Sequence, residues 1–206
     1  MNKRLVWNFE INQTHLLQIP SADSLDTNSC HWESRFFWPE TEIIPLMGLD
    51  DHFLQLSLYK IKPKEDTYFL LPHYDYNLKS RDGQLFYKPL IKKERGFIAY
   101  SKKERLVNNS FTHPLWRIEK ENDETDVAYI QQHALQIQIS KVVFIYTFAV
   151  EPKVKMELAR LSINNKIYFS VAIESKALPL VESITKQVLG RTNSTDYVSF
   201  LKEITS

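Results

Sequence analysis

The chain has 206 residues, 43% hydrophobic and 25% charged, enough for one large domain with its own core and outside the disordered range. Lys plus Arg number 26 against 25 Asp plus Glu, and a net charge of +1 argues against nucleic-acid or membrane binding through bulk charge. Four glycines without a GxGxxG or GxxxxGK[ST] run argue against a glycine-rich phosphate loop, and a single cysteine, Cys30, excludes an internal disulfide and a cysteine-built zinc site. The longest apolar run, around Val142 to Ile145, is too short for a membrane span. Residues 1–12 lack the apolar stretch of a secretory leader, so a cytoplasmic protein is expected.

Bursts of β-branched and aromatic residues predict strands at 5–11, 31–38, 53–59, 67–71, 74–81, 84–91 and 96–101. Four more follow at 134–139, 141–150, 154–163 and 166–175. A short helix is predicted after Pro39, over 42–47. Polar loops are expected at 21–29 and 122–126, the second leading into a helix through His133. Residues 178–189 predict a helix with Leu180, Val181, Ile184 and Val188 on one face, ended by Gly190. Residues 195–204 predict another, capped by Ser194, with Tyr197, Val198, Leu201 and Ile204 inward. Strands at this density with few helices between them predict an α+β fold, mostly antiparallel β, as a sheet or a barrel. No repeat or linker divides the chain, so 1–206 reads as a single domain: an N-terminal strand and loop over 1–30, then a core over 31–206.

Two hairpins have readable faces. Asp82-Gly83 tolerates the positive φ of a two-residue turn, pairing Arg81 with Gln84, Lys79 with Phe86 and Asn77 with Lys88. Lys79, Arg81 and Lys88 then share one face, with Leu78, Leu85 and Tyr87 on the other. Asn164-Asn165 pairs Ala159 with Ser170, Glu157 with Ala172 and Lys155 with Glu174, giving a polar face backed by Met156, Leu158, Phe169, Val171 and Ile173. Lys60 and Lys62 share a face by the same alternation, as do Glu33 and Arg35. In an open sheet such charged faces are solvated; in a barrel they line the lumen, where crowded Lys and Arg require an anion between them.

The stretches HWESRFF, YKIKPKEDTYFLLP, NLKSRDGQLFYKPL and MELARLSINNKIYFSVAIES, in that order, resemble the CYTH superfamily of triphosphate tunnel metalloenzymes over roughly residues 31–206. The resemblance implies a closed CYTH-like β-barrel, a tunnel, with flanking and C-terminal helices. It departs at the opening ExExK motif, where Glu33-Ser34-Arg35 supplies one acidic residue instead of two, and at the Lys-x-Arg of a middle strand, where Lys141 is present but Val143 stands in place of Arg. By resemblance, Arg35, Lys60, Lys62, Lys79, Arg81, Lys88 and Lys141 grip phosphate oxygens, and Glu33, Glu157 and Glu174 hold Mg²⁺ or Mn²⁺ as the catalytic carboxylates. The implied activity is hydrolysis of a triphosphate-containing compound (tripolyphosphate, a nucleoside triphosphate or thiamine triphosphate). The alternative is a non-catalytic polyphosphate-binding or partner-binding protein on the same fold. The expected partner is a small polyphosphate or triphosphate molecule, with no membrane and no nucleic acid; a homodimer stays open.

Other chemistry has weaker signals. The six histidines show no HExxH or HxH spacing, GxSxG is absent, and Cys30 lies in a polar stretch. The charged runs 92–95 and 102–105 read as a hairpin tip and a solvated loop, and Trp7, Trp32, Trp38 and Trp116 as packing residues.

Overall fold

The structure, a computed structural model, describes residues 2–13, 15–20, 30–120 and 124–206. The expected loop at 21–29 and the start of that at 122–126 lie outside these residues. Among the described residues, no helix is long and apolar enough to cross a membrane.

The first predicted strand is a hairpin, β1 (Lys3–Val6) and β2 (Phe9–Asn12). Trp7 turns the chain with a φ of 49°, and its ring packs edge-on to Phe144 with centroids 5.1 Å apart. After β3 (His31–Pro39), the segment expected as a helix forms β4 (Ile44–Met47). Pro45 has no backbone N–H for a helix, whereas Ile44 and Leu46 alternate inward and seat β4 parallel to β2. Residues expected as a strand at 53–59 instead make two 3-10 turns, Asp51–Leu54 and Leu56–Leu58, the first capped by the Asp50 carboxylate.

The large sheet takes β5 (Lys60–Leu70), β6 (Asn77–Arg81), β7 (Gln84–Lys88), β8 (Leu90–Glu94), β9 (Phe97–Tyr100) and a two-residue β10 (Glu104–Arg105). Helix α1 (Asp126–His133) follows, then β11 (Leu135–Phe148), which fuses two predicted strands. The strands β12 (Val154–Ile163) and β13 (Lys166–Ser175) and the helix α2 (Leu178–Leu189) have the expected bounds. Helix α3 (Tyr197–Thr205) is capped by Asp196, whose carboxylate accepts from the Ser199 N–H, rather than by Ser194.

The order of the large sheet is β10-β7-β6-β5-β11-β12-β13-β3-β9-β8, every adjacent pair within it antiparallel. It is curled into a half-barrel. The curl is measured by Lys88 of β7, whose Nζ donates to Glu33 of β3 at 2.8 Å although the two strands are far apart in the order. Pro89 alone separates β7 from β8, so one run of chain pairs with β6 through its first half and with β9 through its second. Both predicted hairpin registers are present, Lys79 opposite Phe86 and Glu157 opposite Ala172.

Each face of the curl has its own core. On the convex side, Met156, Leu158, Phe169, Val171 and Ile173 pack beneath α2 and the small β1-β2-β4 sheet. On the concave side, one end is apolar: Tyr197, Val198, Phe200 and Leu201 of α3 pack against Leu70, Ile137, Ile139, Val143 and Leu161. Phe200 stacks on Phe37 at 3.9 Å. Helix α3 therefore blocks that end of the concavity and leaves the other to the charged residues.

The segment before α3 is fixed at Gly96. The Gly96 carbonyl accepts from the Ser194 backbone N–H at 3.0 Å and from its hydroxyl at 2.6 Å. Gly96 has a φ of 83°, and a methyl group there would meet the Thr192 carbonyl oxygen at 2.5 Å. Gly96→Ala is thus expected to destabilise the fold by about 2–5 kcal/mol, the sum of left-handed strain and overpacking. Urea unfolding checks this; an unchanged midpoint would remove Gly96 from the anchoring role.

Candidate functional site

The charged end of the concavity is a cavity of about 140 Å³ lined by Glu33, Arg35, Lys64, Tyr68, Asn77, Lys79, Arg81, Lys88, Lys141, Glu157, Glu174 and Tyr197. Strand register assembles it. Glu174 lies opposite Glu33, Ala172 lies between Glu157 and Arg35, and Lys64 lies opposite Lys141. Period-two alternation then turns these side chains inward and their neighbours into the outer core.

Of the residues expected from sequence, Glu33, Arg35, Lys79, Arg81, Lys88, Lys141, Glu157 and Glu174 meet in this cavity. Lys60 and Lys62 do not line it. They sit on the same face of β5 but are exposed beyond its rim, roughly 13 and 7 Å respectively along the strand from Lys64 at the usual rise per residue. Lys64 and Asp66 continue the same alternation, a signal interrupted in the sequence by Pro63. The proline is tolerated because β6 pairs with β5 only at Thr67 and Tyr68, leaving that stretch of β5 at an open edge. Tyr197 had no local signal: it reaches the cavity from α3.

The charges fall into two clusters. In the first, Arg35 meets three carboxylates: Nε to Glu33 at 2.8 Å, Nη1 to Glu157 at 3.2 Å and Nη2 to Glu174 at 3.5 Å. Lys88 takes the second oxygen of Glu33 at 2.8 Å, and Lys64 the second oxygen of Glu157 at 3.1 Å. In the second cluster, Asp66 is gripped by three cations. Arg81 donates through Nε at 2.6 Å and Nη2 at 2.8 Å, Lys141 approaches to 3.0 Å and Lys79 to 3.3 Å. The Tyr197 ring lies under both Arg35 and Lys141, each 4.8 Å from its centroid.

Burial acts against every one of these charges, and the neighbours decide the outcome. Burial raises the Glu33 carboxyl, but Lys88 and Arg35 outweigh it and hold Glu33 well below the usual range. The same contest, with Arg35 and Lys64 as winners, leaves Glu157 at about 2. Asp66 is likewise pulled below its ordinary value by Arg81, Lys141 and Lys79 against the effect of burial. Glu174 goes the other way, raised by enclosure and by the charge of Glu33. Among the lysines, burial and the neighbouring Lys141 drive Lys79 down to about 7, despite Asp66. Lys141 is opposed by burial but raised by Tyr197, Tyr68 and Asp66, and stays charged.

The cavity opens beside Glu174, whose side chain is 39% exposed. A groove of about 230 Å³ shares Glu33, Lys88 and Glu174 with it and adds His31, Lys102, Lys103 and Lys155. The run expected as a solvated loop at 102–105 thus contributes two lysines to the mouth. Burial, then Lys176 and Lys88, lower the His31 pKa and so disfavour its charged form.

The three glutamates do not fit Mg²⁺ or Mn²⁺ as they are arranged. Such hard cations take up to six or more oxygens at about 2.0–2.6 Å. Here each glutamate has an oxygen turned to the Arg35 guanidinium, and the second oxygens of Glu33 and Glu157 are taken by lysines. Among the described residues, no cluster of His, Cys, Asp and Glu is arranged to hold a metal ion. Compared with known proteins, the chain matches no family model and no curated protein.

Proposed function

We propose that the curled sheet is a CYTH-like tunnel closed at one end by α3, and that its cavity binds a triphosphate- or polyphosphate-type anion. The observation that carries this reading is the charge excess in the cavity. Arg35, Lys64, Lys79, Arg81, Lys88 and Lys141 face Glu33, Asp66, Glu157 and Glu174, leaving two positive charges unbalanced when Lys79 is protonated. Both belong to the Asp66 cluster, where Lys79, Arg81 and Lys141 share one carboxylate. Fixed cations in an enclosed site are stabilised by an added anion more strongly than on an open surface. Arg81, whose Nε–Nη2 edge is held by Asp66, keeps its Nη1 donors for a phosphate oxygen, with Lys79 and Lys141 as point charges beside it. The lysines of the mouth steer an anion inward. The volume has room for several waters or a short phosphate chain in their place.

This is a binding function. Hydrolysis of the kind implied by the resemblance requires carboxylates free for a metal, and here both oxygens of Glu33 and of Glu157 are engaged by Arg35, Lys64 and Lys88, leaving one oxygen of Glu174.

The test is calorimetric titration with tripolyphosphate, with phosphate release followed in the same samples. Lys79→Met and Arg81→Met are each expected to weaken binding about ten- to hundredfold, the loss of one charge-assisted contact. Lys60→Ala combined with Lys62→Ala is expected to stay within about twofold, because these side chains lie outside the cavity. Absence of saturable binding up to millimolar ligand, or an equal loss in the Lys60/Lys62 variant, would overturn the reading. Phosphate release with turnover would make the protein a hydrolase.

A further inference from the structure

We infer that Arg35 occupies the place of a divalent cation in this site, so that the cavity takes its polyanion free of Mg²⁺ or Mn²⁺. The inference rests on the polyanion reading and specifies the ionic form of the ligand.

Glu33, Glu157 and Glu174 come from β3, β12 and β13, and strand register brings their carboxylates around one point. The group at that point is the Arg35 guanidinium, which presents a different nitrogen to each: Nε, Nη1 and Nη2. Its side chain is 5% exposed. It is also anchored from outside the carboxylate set, by Ser170 Oγ at 3.4 Å and by the Tyr197 ring beneath it. The guanidinium is therefore held by neighbours on several sides. A planar monocation with its donors directed at three carboxylates, with Lys64 and Lys88 beside it, supplies the charge neutralisation a metal would give, without a coordination sphere open to phosphate oxygens.

The charge count gives the consequence. Arg35, Lys64 and Lys88 balance Glu33, Glu157 and Glu174, so the first cluster is neutral as it stands. The unbalanced positive charges, two when Lys79 is protonated, are at Asp66, where they call for an anion with its full charge. A divalent cation chelated to the phosphate chain would lower that charge and bring a second positive centre towards Lys79, Arg81 and Lys141. Divalent ions should then compete with the protein for the ligand.

Titration of the wild-type protein with tripolyphosphate in EDTA and in excess Mg²⁺ decides the matter. Binding in EDTA is expected to be at least about tenfold tighter. Binding that requires Mg²⁺, or is tightened by it, would overturn the inference while leaving the polyanion reading standing. Absence of binding in both media would overturn the reading itself, and the inference with it. Arg35→Ala provides the second arm, followed by Mn²⁺ titration under electron paramagnetic resonance without any phosphate ligand. With the guanidinium removed, Glu33, Glu157 and Glu174 face one another, and Mn²⁺ binding at least about tenfold tighter than in wild type is expected. Equal Mn²⁺ binding by the two proteins would overturn the inference. The wild-type titration stands by itself if Arg35→Ala does not fold.

Discussion

Asp66→Asn is expected to destabilise the protein by about 3 kcal/mol and to tighten its grip on tripolyphosphate. The Asp66 carboxylate is wholly buried and is the shared partner of Arg81, Lys79 and Lys141. Removing one member of a buried charge cluster leaves its partners uncompensated, with typical losses of about 3–5 kcal/mol. The lower end applies because Arg81 and Lys79 are 28% and 16% exposed and keep some solvation. An added polyanion then takes the place of the lost carboxylate. Tripolyphosphate at about a hundred times its Kd should restore roughly 2.7 kcal/mol.

The pH profile supplies an internal check. Asp66 has a lowered pKa in the folded state, so its contribution is present above its unfolded value of 3.8 and is lost as pH falls towards the folded value. The stability gap between wild type and Asp66→Asn should therefore narrow below about pH 4. Urea unfolding at several pH values, with and without ligand, measures all of this. A variant as stable as wild type, or one with weaker anion binding, would refute the account of Asp66 as an internal counter-ion.

The second large effect is a pH dependence of anion binding set by Lys79. Burial and Lys141 hold its pKa at about 7 in the free protein. A bound polyanion favours the charged ammonium and raises that value. Below pH 7 Lys79 is already protonated, so its contribution to affinity is constant. Above pH 7 the free protein must take up a proton to bind, and affinity falls by up to about tenfold per pH unit until the bound-state pKa is reached. Lys79→Arg keeps its charge throughout, and the difference between the two profiles cancels the titration of the ligand itself. Titration calorimetry at pH 8 in buffers of different ionisation enthalpy should show proton uptake by wild type and less by Lys79→Arg. Parallel profiles from pH 6 to 9 would show that Lys79 is not the titrating group.

Much of the cavity was legible in the sequence because β-sheet faces follow a period of two. Once Asp82-Gly83 and Asn164-Asn165 were placed as turns, the shared face of Lys79, Arg81 and Lys88 and that of Glu157 and Glu174 followed, while the curl that turns those faces inward did not. A one-residue slip would have buried the charges in the convex core, so the apolar faces fixed the register. The same logic failed where the local signal was ambiguous. Residues 42–47 and 53–59 are short apolar segments that suit a helix, a strand or a turn, and their neighbours decided among these. Trp7 carried no turn signature; packing of its ring against Phe144 accompanies the reversal. Pro63 obscured the extension of β5, and with it Lys64 and Asp66.

Which residues share a face is written in the local sequence, since alternation and turn chemistry act over a few neighbours. The local sequence also determines that the protein is a mostly antiparallel α+β domain with a cationic face. Which charges touch is set by the assembled fold. The curl of the sheet brings Lys88 to Glu33, α3 carries Tyr197 beneath Arg35 and Lys141, and the register across three strands sets Arg35 among Glu33, Glu157 and Glu174. These contacts join positions up to about 160 residues apart. They depend on strand order and curvature, which arise from packing over the whole chain and leave no mark at any one position.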